Sequence, residues 1–185
     1  MDNLNFPNCL TLIRIFLIPV FVIVYYLPVS YHYEIAALIF AIASITDWFD
    51  GFIARKLKQE TNFGAFFDPI ADKLIVVIAL MLLLGEYNSY WITIPAIIIV
   101  SREIIISGLR EWMACVGQSN IVSVTYLGKL KTTLQMVAIV FLLSQQPIFS
   151  SNVVYFGIFM LILAAILTMI SMVSYLYKAW PKLFK

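Results

Sequence analysis

Long apolar segments, separated by short polar ones, fill almost the whole chain of 185 residues. Hydrophobic residues make up 63% of it and charged residues only 12%, whereas soluble domains average about 25% charged residues. A helix that spans a bilayer needs about 20 consecutive apolar residues. We therefore expect an all-α membrane protein, a bundle of six transmembrane helices that forms a single domain over residues 1–185.

The distribution of positive charge predicts the orientation of this bundle. The apolar segments place the spans at about residues 8–28, 34–55, 68–85, 90–112, 129–145 and 152–177. If both termini are cytoplasmic, the three outer loops contain no Lys or Arg, and all 12 basic residues lie in inner segments or inner halves of spans. This agrees with the positive-inside rule. We expect a multi-pass protein of the cytoplasmic membrane.

Four aspartates lie between apolar segments in the stretch DWFDGFIARKLKQETNFGAFFDPIAD, residues 47–72. They are Asp47, Asp50, Asp68 and Asp72. Spacings of three and four residues place side chains on one face of a helix, so two helices meeting here would aim four carboxylates at one point. Oxygen ligands without His or Cys favour Mg²⁺ or Mn²⁺, and two ions about 3.5–4 Å apart suit phosphoryl chemistry. We expect these aspartates to bind two divalent ions at the cytoplasmic face.

A solvated loop is the alternative interpretation of the same stretch. Asp68 would then be an N-cap, with Pro69 at the first position of the third helix. A helix that begins near Gly64 and contains Pro69 is equally compatible with the sequence. The other three aspartates lie inside apolar segments, where an unpaired charge is costly and usually functional, which favours the metal site.

Small and basic residues beside the aspartates suit a ligand that carries phosphate. Gly51 and Ala54 leave the helix surface small, so that a bulky ligand can lie close. Arg55 supplies a planar cation that matches phosphate. Gly64 permits close approach of the backbone just before the second aspartate pair.

The spacing Asp-x2-Asp-Gly-x2-Ala-Arg-x8-Gly-x3-Asp-x3-Asp resembles the signature of the CDP-alcohol phosphatidyltransferases. Every fixed place is filled, by Asp47, Asp50, Gly51, Ala54, Arg55, Gly64, Asp68 and Asp72. The resemblance implies an enzyme of phospholipid biosynthesis, a homodimer in the membrane, in which an alcohol directly displaces CMP from CDP-diacylglycerol with the help of Mg²⁺ or Mn²⁺.

The resemblance also implies roles for individual residues. Asp72 is the catalytic base as well as a metal ligand, and the other three aspartates are chiefly ligands. The residues implied to bind CDP-diacylglycerol are Asn8, Thr11, Asp50, Gly51, Ala54, Arg55 and Gly64. Capping of the first helix is an alternative role for Asn8, because Asn is a favoured N-cap.

Basic residues near the inner ends of the fourth and fifth spans indicate how the acceptor alcohol is bound. They are Arg102, Arg110, Lys129 and Lys131, which together suit a dianionic phosphate. Glu103 is expected to pair with Arg102 inside the bundle. Charge alone allows glycerol 3-phosphate or inositol phosphate as the acceptor. The segments SREIIISGLREWMA and LGKLKTTLQM resemble bacterial family members that convert sn-glycerol 3-phosphate to phosphatidylglycerophosphate.

Two rival functions can be weighed from the sequence. Phosphatidylglycerol as the acceptor would require an entrance for a second lipid. A divalent-cation transporter would also contain intramembrane carboxylates, but transporters often show internal repeats and broken helices at the midplane. Here no repeat is visible and the carboxylates gather at one face. No basic run suggests binding to nucleic acid.

Overall fold

The computed structural model describes the backbone of residues 6–57, 62–116, 126–144 and 152–183, and the side chains of residues 11–46, 64, 66–116, 130–144, 152–177, 179 and 180. Within these ranges the chain forms helices and no strand. The helices are α1 (Phe6–Tyr26), α2 (His32–Leu57), α3 (Asn62–Tyr87), α4 (Tyr90–Cys115), α5 (Tyr126–Leu143) and α6 (Asn152–Leu183). The all-α prediction is confirmed.

Helices extend beyond the apolar segments at several of their ends. Because α3 begins at Asn62, the interpretation of Asp68 as its N-cap is wrong, and Asp68 and Pro69 both lie inside the helix. Proline has no N–H, so Pro69 costs α3 one backbone hydrogen bond. Hydropathy marks the apolar part of a helix, whereas the backbone hydrogen bonds continue through the polar residues that flank it.

One large apolar cluster joins the first five helices to the first half of α6. Phe21 of α1 packs against Phe40 of α2, with ring centroids 6.2 Å apart. Leu83 of α3 and Leu142 of α5 are fully buried in the same cluster. A smaller cluster around Met113 joins the ends of α4 and α6.

Two hydrogen bonds from tyrosines fix α3 between its neighbours. The hydroxyl of Tyr33 on α2 donates to Glu86 Oε1 over 2.6 Å. The hydroxyl of Tyr87 donates to the Leu142 carbonyl of α5 over 3.0 Å. Both bonds lie at the C-terminal end of α3, so they hold the helix at the end opposite its aspartates.

Close packing of α5 against α6 depends on Gly157. A Cβ atom at this position would lie 2.9 Å from Leu142 Cγ and 3.0 Å from Leu142 Cδ2. Side-chain atoms do not approach that closely without displacement. The missing side chain therefore permits this approach of the two helices.

Large apolar side chains are also widely exposed on the outside of the bundle. Phe16 of α1, Ile104 of α4 and Phe159 of α6 are each more than half exposed. In the described residues, α4 and the segment Asn152–Tyr177 are the two helices long and apolar enough to cross a membrane. Such surfaces suit contact with lipid. These features indicate a membrane protein, and the arrangement of six spans stays a prediction.

Candidate active site

The second aspartate pair lies on α3, near the N-terminal end of that helix. Asp68 and Asp72 are four residues apart and therefore share a face. The Thr11 hydroxyl of α1 donates a hydrogen bond to Asp68 Oδ1. Thr11 and Gly64 are buried, whereas Asp68 and Asp72 are partly exposed. The structure thus brings Thr11 together with one predicted metal ligand.

The first aspartate pair lies in α2, whose backbone is helical through Leu57. The side chains of Asp47 and Asp50 lie outside the described residues, as do those of Ala54, Arg55 and Asn8. Where side chains are described, no group of three or more His, Cys, Asp or Glu residues could hold a metal ion. The site of four carboxylates therefore stays a prediction.

The described half of this ligand set fits a hard divalent cation. Asp68 and Asp72 offer carboxylate oxygens from successive turns of one helix, and oxygen donors are what Mg²⁺ and Mn²⁺ prefer. The hydrogen bond from Thr11 limits the rotation of the Asp68 carboxylate. Groups that orient a ligand in this way commonly raise the affinity of metal sites.

Two of the predicted phosphate-binding cations meet at Glu103, in the interior of the bundle. Glu103 Oε1 lies 2.5 Å from Arg102 Nη1 and 3.5 Å from Lys131 Nζ of α5. Arg102 Nη2 also donates to Ser171 Oγ of α6 over 3.3 Å. Arg102 and Lys131 are buried. The predicted pairing of Glu103 with Arg102 is confirmed, and the same carboxylate also holds Lys131.

The other two predicted cations, Arg110 and Lys129, have no described contact with Glu103. Arg110 is exposed on α4, two turns beyond Glu103. Lys129 lies in the first turn of α5, and its side chain is outside the described residues. The structure therefore joins Arg102 to Lys131 and leaves Arg110 accessible from solvent.

A small polar cavity of about 50 Å³ lies between α3, α4 and α5. Its polar lining consists of Asp72, Lys73, Glu103, Thr132 and Gln135. The apolar lining consists of Val76, Val77, Ile99, Val100 and Met136. The cavity connects the predicted base to Glu103, the residue that contacts Arg102 and Lys131.

Thr132 and Gln135 were not recognised from the sequence. Gln135 follows Lys131 by four residues, so both occupy the same face of α5. An amide one turn beyond Lys131, in a predicted membrane span, was the signal that could have identified it, because buried polar groups in such segments usually have a function.

A larger cavity of about 350 Å³ lies between α4 and α6. Apolar and aromatic side chains line it, among them Trp91, Ile94 and Ile166, and none of its lining residues is charged. It offers no carboxylate, histidine or cation that could act as a base or neutralise a phosphate. The smaller cavity is therefore the candidate site of the chemistry, despite the difference in volume.

A model of the family described as CDP-alcohol phosphatidyltransferase matches residues 4–177 of the chain, which include nearly all of the six helices. The chain belongs to the CDP-alcohol phosphatidyltransferase family. The resemblance carried by the aspartate motif is thereby confirmed, and the protein is a transferase. Members of this family generally depend on divalent metal ions, in agreement with the oxygen donors of α3.

Relatives of this phosphatidyltransferase match it over almost their full length. A protein from Wigglesworthia glossinidia brevipalpis is 52% identical over 183 residues, which cover 99% of each chain. A protein from Escherichia coli strain K12 is 53% identical over 175 residues, which cover 95% of this chain and 94% of the relative. Both relatives are named CDP-diacylglycerol–glycerol-3-phosphate 3-phosphatidyltransferase.

Proposed function

We propose that this phosphatidyltransferase transfers the phosphatidyl group of CDP-diacylglycerol to sn-glycerol 3-phosphate, with phosphatidylglycerophosphate and CMP as products. The observation that carries the proposal is the identity of more than half of the residues, over nearly the whole chain, with relatives named for this reaction. The partly exposed aspartates of α3 and the nearby cations supply the chemical groups that the reaction needs.

The reaction breaks one phosphoanhydride bond and forms one phosphoester bond. The acceptor hydroxyl oxygen attacks the phosphorus that carries diacylglycerol, and the bond from this phosphorus to the oxygen of CMP breaks. The hydroxyl proton passes to the Asp72 carboxylate. Asp72 lines the polar cavity between α3 and α5, so an acceptor bound there lies within reach of the base. General base catalysis of this kind contributes about 10²–10⁴-fold to a rate.

In this proposal the four aspartates are the ligands of the metal ions. Asp47, Asp50, Asp68 and Asp72 hold Mg²⁺ or Mn²⁺, with two ions bound. When bound, the ions neutralise charge on the pyrophosphate and favour departure of CMP. Thr11 keeps the Asp68 carboxylate in position, which is supported by their hydrogen bond.

Two separate sets of residues bind the two substrates in this proposal. CDP-diacylglycerol is bound by Asn8, Thr11, Asp50, Gly51, Ala54, Arg55 and Gly64. The acceptor phosphate is bound by Arg102, Arg110, Lys129 and Lys131. The placement of Lys131 beside Glu103, which lines the same cavity as Asp72, supports a binding site for the acceptor close to the base.

The membrane arrangement follows from the distribution of charge. In our proposal the six helices span the cytoplasmic membrane, both termini and the active site face the cytoplasm, and two copies form a homodimer. The absence of Lys and Arg from the outer loops supports the orientation. Exposed apolar side chains on α1, α4 and α6 support contact with lipid acyl chains.

An acceptor panel tests the proposed function. The purified full-length protein in detergent receives CDP-diacylglycerol and Mg²⁺, with glycerol 3-phosphate, inositol phosphate, phosphatidylglycerol or serine added singly. We expect CMP and phosphatidylglycerophosphate with glycerol 3-phosphate alone, and no product after chelation of the metal. Product with another acceptor would contradict the assigned substrate, and absence of CMP release with every acceptor would favour a transporter.

A further inference from the structure

Gln135 is a buried polar residue without a role in the reaction described above. It is only 4% exposed. Buried amides are nearly always hydrogen-bonded, because burial removes them from water. The side chain lines the polar cavity together with Asp72. A group that enters the cavity can therefore supply a hydrogen-bond partner for the amide.

The charges around the cavity limit what that partner can be. Two carboxylates, Asp72 and Glu103, and one ammonium group, Lys73, belong to the lining. Arg102 and Lys131 both contact Glu103, so the cavity has no excess of negative charge that a charged ligand would have to neutralise. At about 50 Å³ the space exceeds the roughly 30 Å³ that one water molecule occupies in the liquid. A small neutral group, such as a carbon atom that bears a hydroxyl, fits both limits.

The position of Gln135 relates this neutral group to the rest of the acceptor. Gln135 lies one helical turn from Lys131, which contributes to the proposed phosphate site, and it shares a cavity with Asp72. An acceptor whose phosphate lies near Lys131 and whose reacting hydroxyl lies near Asp72 places its middle carbon between them. In glycerol 3-phosphate this carbon carries a second hydroxyl, which does not react.

We infer that Gln135 determines acceptor specificity by hydrogen bonding to this second, unreactive hydroxyl. The inference rests on the proposed function and adds to it the part of the acceptor that is recognised. The amide can both donate to a hydroxyl oxygen and accept from a hydroxyl proton. An acceptor without the second hydroxyl leaves the amide buried and unpaired, which is how polar sites reject analogues.

Comparison of two acceptors tests this inference. The first is glycerol 3-phosphate, and the second is 3-hydroxypropyl phosphate, which retains the phosphate and the reacting hydroxyl but lacks the second hydroxyl. We expect the wild-type protein to favour glycerol 3-phosphate by about tenfold in kcat/KM. Gln135→Met keeps the volume of the side chain and removes its hydrogen-bonding groups. We expect the preference in this variant to fall to about twofold or less, through loss of activity with glycerol 3-phosphate alone.

Ile99→Val is the matched control, because it changes the lining of the same cavity without removing a polar group. It should keep the wild-type preference. If Gln135→Met is not obtained in folded form, Gln135→Asn retains an amide that is one methylene shorter, and it should also lose the preference. These ratios are independent of the amount of active protein.

Each outcome bears on the inference. Loss of preference in a Gln135 variant, with preference retained in Ile99→Val, would support it. An unchanged preference in folded Gln135 variants would overturn it, as would an equal loss with both acceptors, which would indicate a structural role. If the wild-type protein releases no CMP with either of the two acceptors, the proposed function is overturned, and the inference that rests on it falls as well.

Discussion

Thr11 on α1 donates a hydrogen bond to the carboxylate of Asp68 on α3, across 57 positions of sequence. Thr11 is almost fully buried, so its hydroxyl is held in place. The bond engages one of the two carboxylate oxygens of Asp68. In a site built from carboxylates this contact would orient a metal ligand before any ion binds.

Replacement of Thr11 by valine should weaken metal binding. Valine has a similar shape but no hydroxyl, so Asp68 would lose its fixed orientation. We expect the Mg²⁺ concentration for half-maximal CMP release to rise by about tenfold, since partners that orient metal ligands are commonly worth about 10–100-fold in affinity. Titration of activity with Mg²⁺ measures this change. Thr11→Ser keeps the hydroxyl and should remain near wild type, and an unchanged constant in Thr11→Val would contradict the role of this bond.

Asp72→Asn should abolish turnover and leave binding of CDP-diacylglycerol largely intact. The amide is similar in size to the carboxylate but does not accept the hydroxyl proton. We expect kcat to fall by at least about 100-fold, measured as CMP release, with binding of labelled CDP-diacylglycerol followed in parallel. Glu86→Gln changes an acid at the opposite end of the same helix and should remain active. Full activity of Asp72→Asn would remove Asp72 as the base.

Arg110→Ala should raise the KM for the acceptor more than the KM for the lipid substrate. Arg110 is exposed on α4, so its removal does not disturb the core. Loss of a charge-assisted contact to phosphate should raise the KM for glycerol 3-phosphate by roughly tenfold. Steady-state kinetics with each substrate varied in turn provide the measurement. The adjacent exposed Glu111→Ala is the control. An increase confined to the KM for CDP-diacylglycerol would refute the assignment of Arg110 to the acceptor site.

Gly157→Ala should destabilise the protein through the packing of α5 against α6. The added Cβ would lie 2.9 Å from Leu142 Cγ, and Leu142 is fully buried. Overpacking of this kind typically costs about 1–3 kcal/mol, which lowers Tm by roughly 2–4 °C per kcal/mol in a chain of this size.

Gly108→Ala provides the comparison for this measurement. No atom outside its own helix lies within 4 Å of a Cβ built at Gly108, and alanine is favoured over glycine in helices by about 1 kcal/mol. Thermal unfolding in detergent should therefore show equal or higher Tm for Gly108→Ala and lower Tm for Gly157→Ala. Equal values for the two variants would contradict the packing argument.

Much of the fold class and the family followed from local patterns. Apolar runs long enough to span a bilayer exclude an ordinary soluble domain, and they predicted the all-α architecture. The fixed spacing from Asp47 to Asp72 indicated the family, because the chemistry requires those residue types at those intervals along two helices. The ends of the helices were predicted less accurately. The start of α3 at Asn62 was not decided by the sequence, since both a cap at Asp68 and an internal Pro69 were compatible with it.

The contacts between helices were decided by the tertiary structure alone. Neither the hydrogen bond from Thr11 to Asp68 nor the attachment of Lys131 to Glu103 has a signal in local sequence, because each joins residues on different helices. The same holds for Gln135, because only the packing of α3 and α4 against α5 places Asp72 and Glu103 around it. Periodicity along a helix determines which residues share its face. Packing of side chains between helices determines what that face meets.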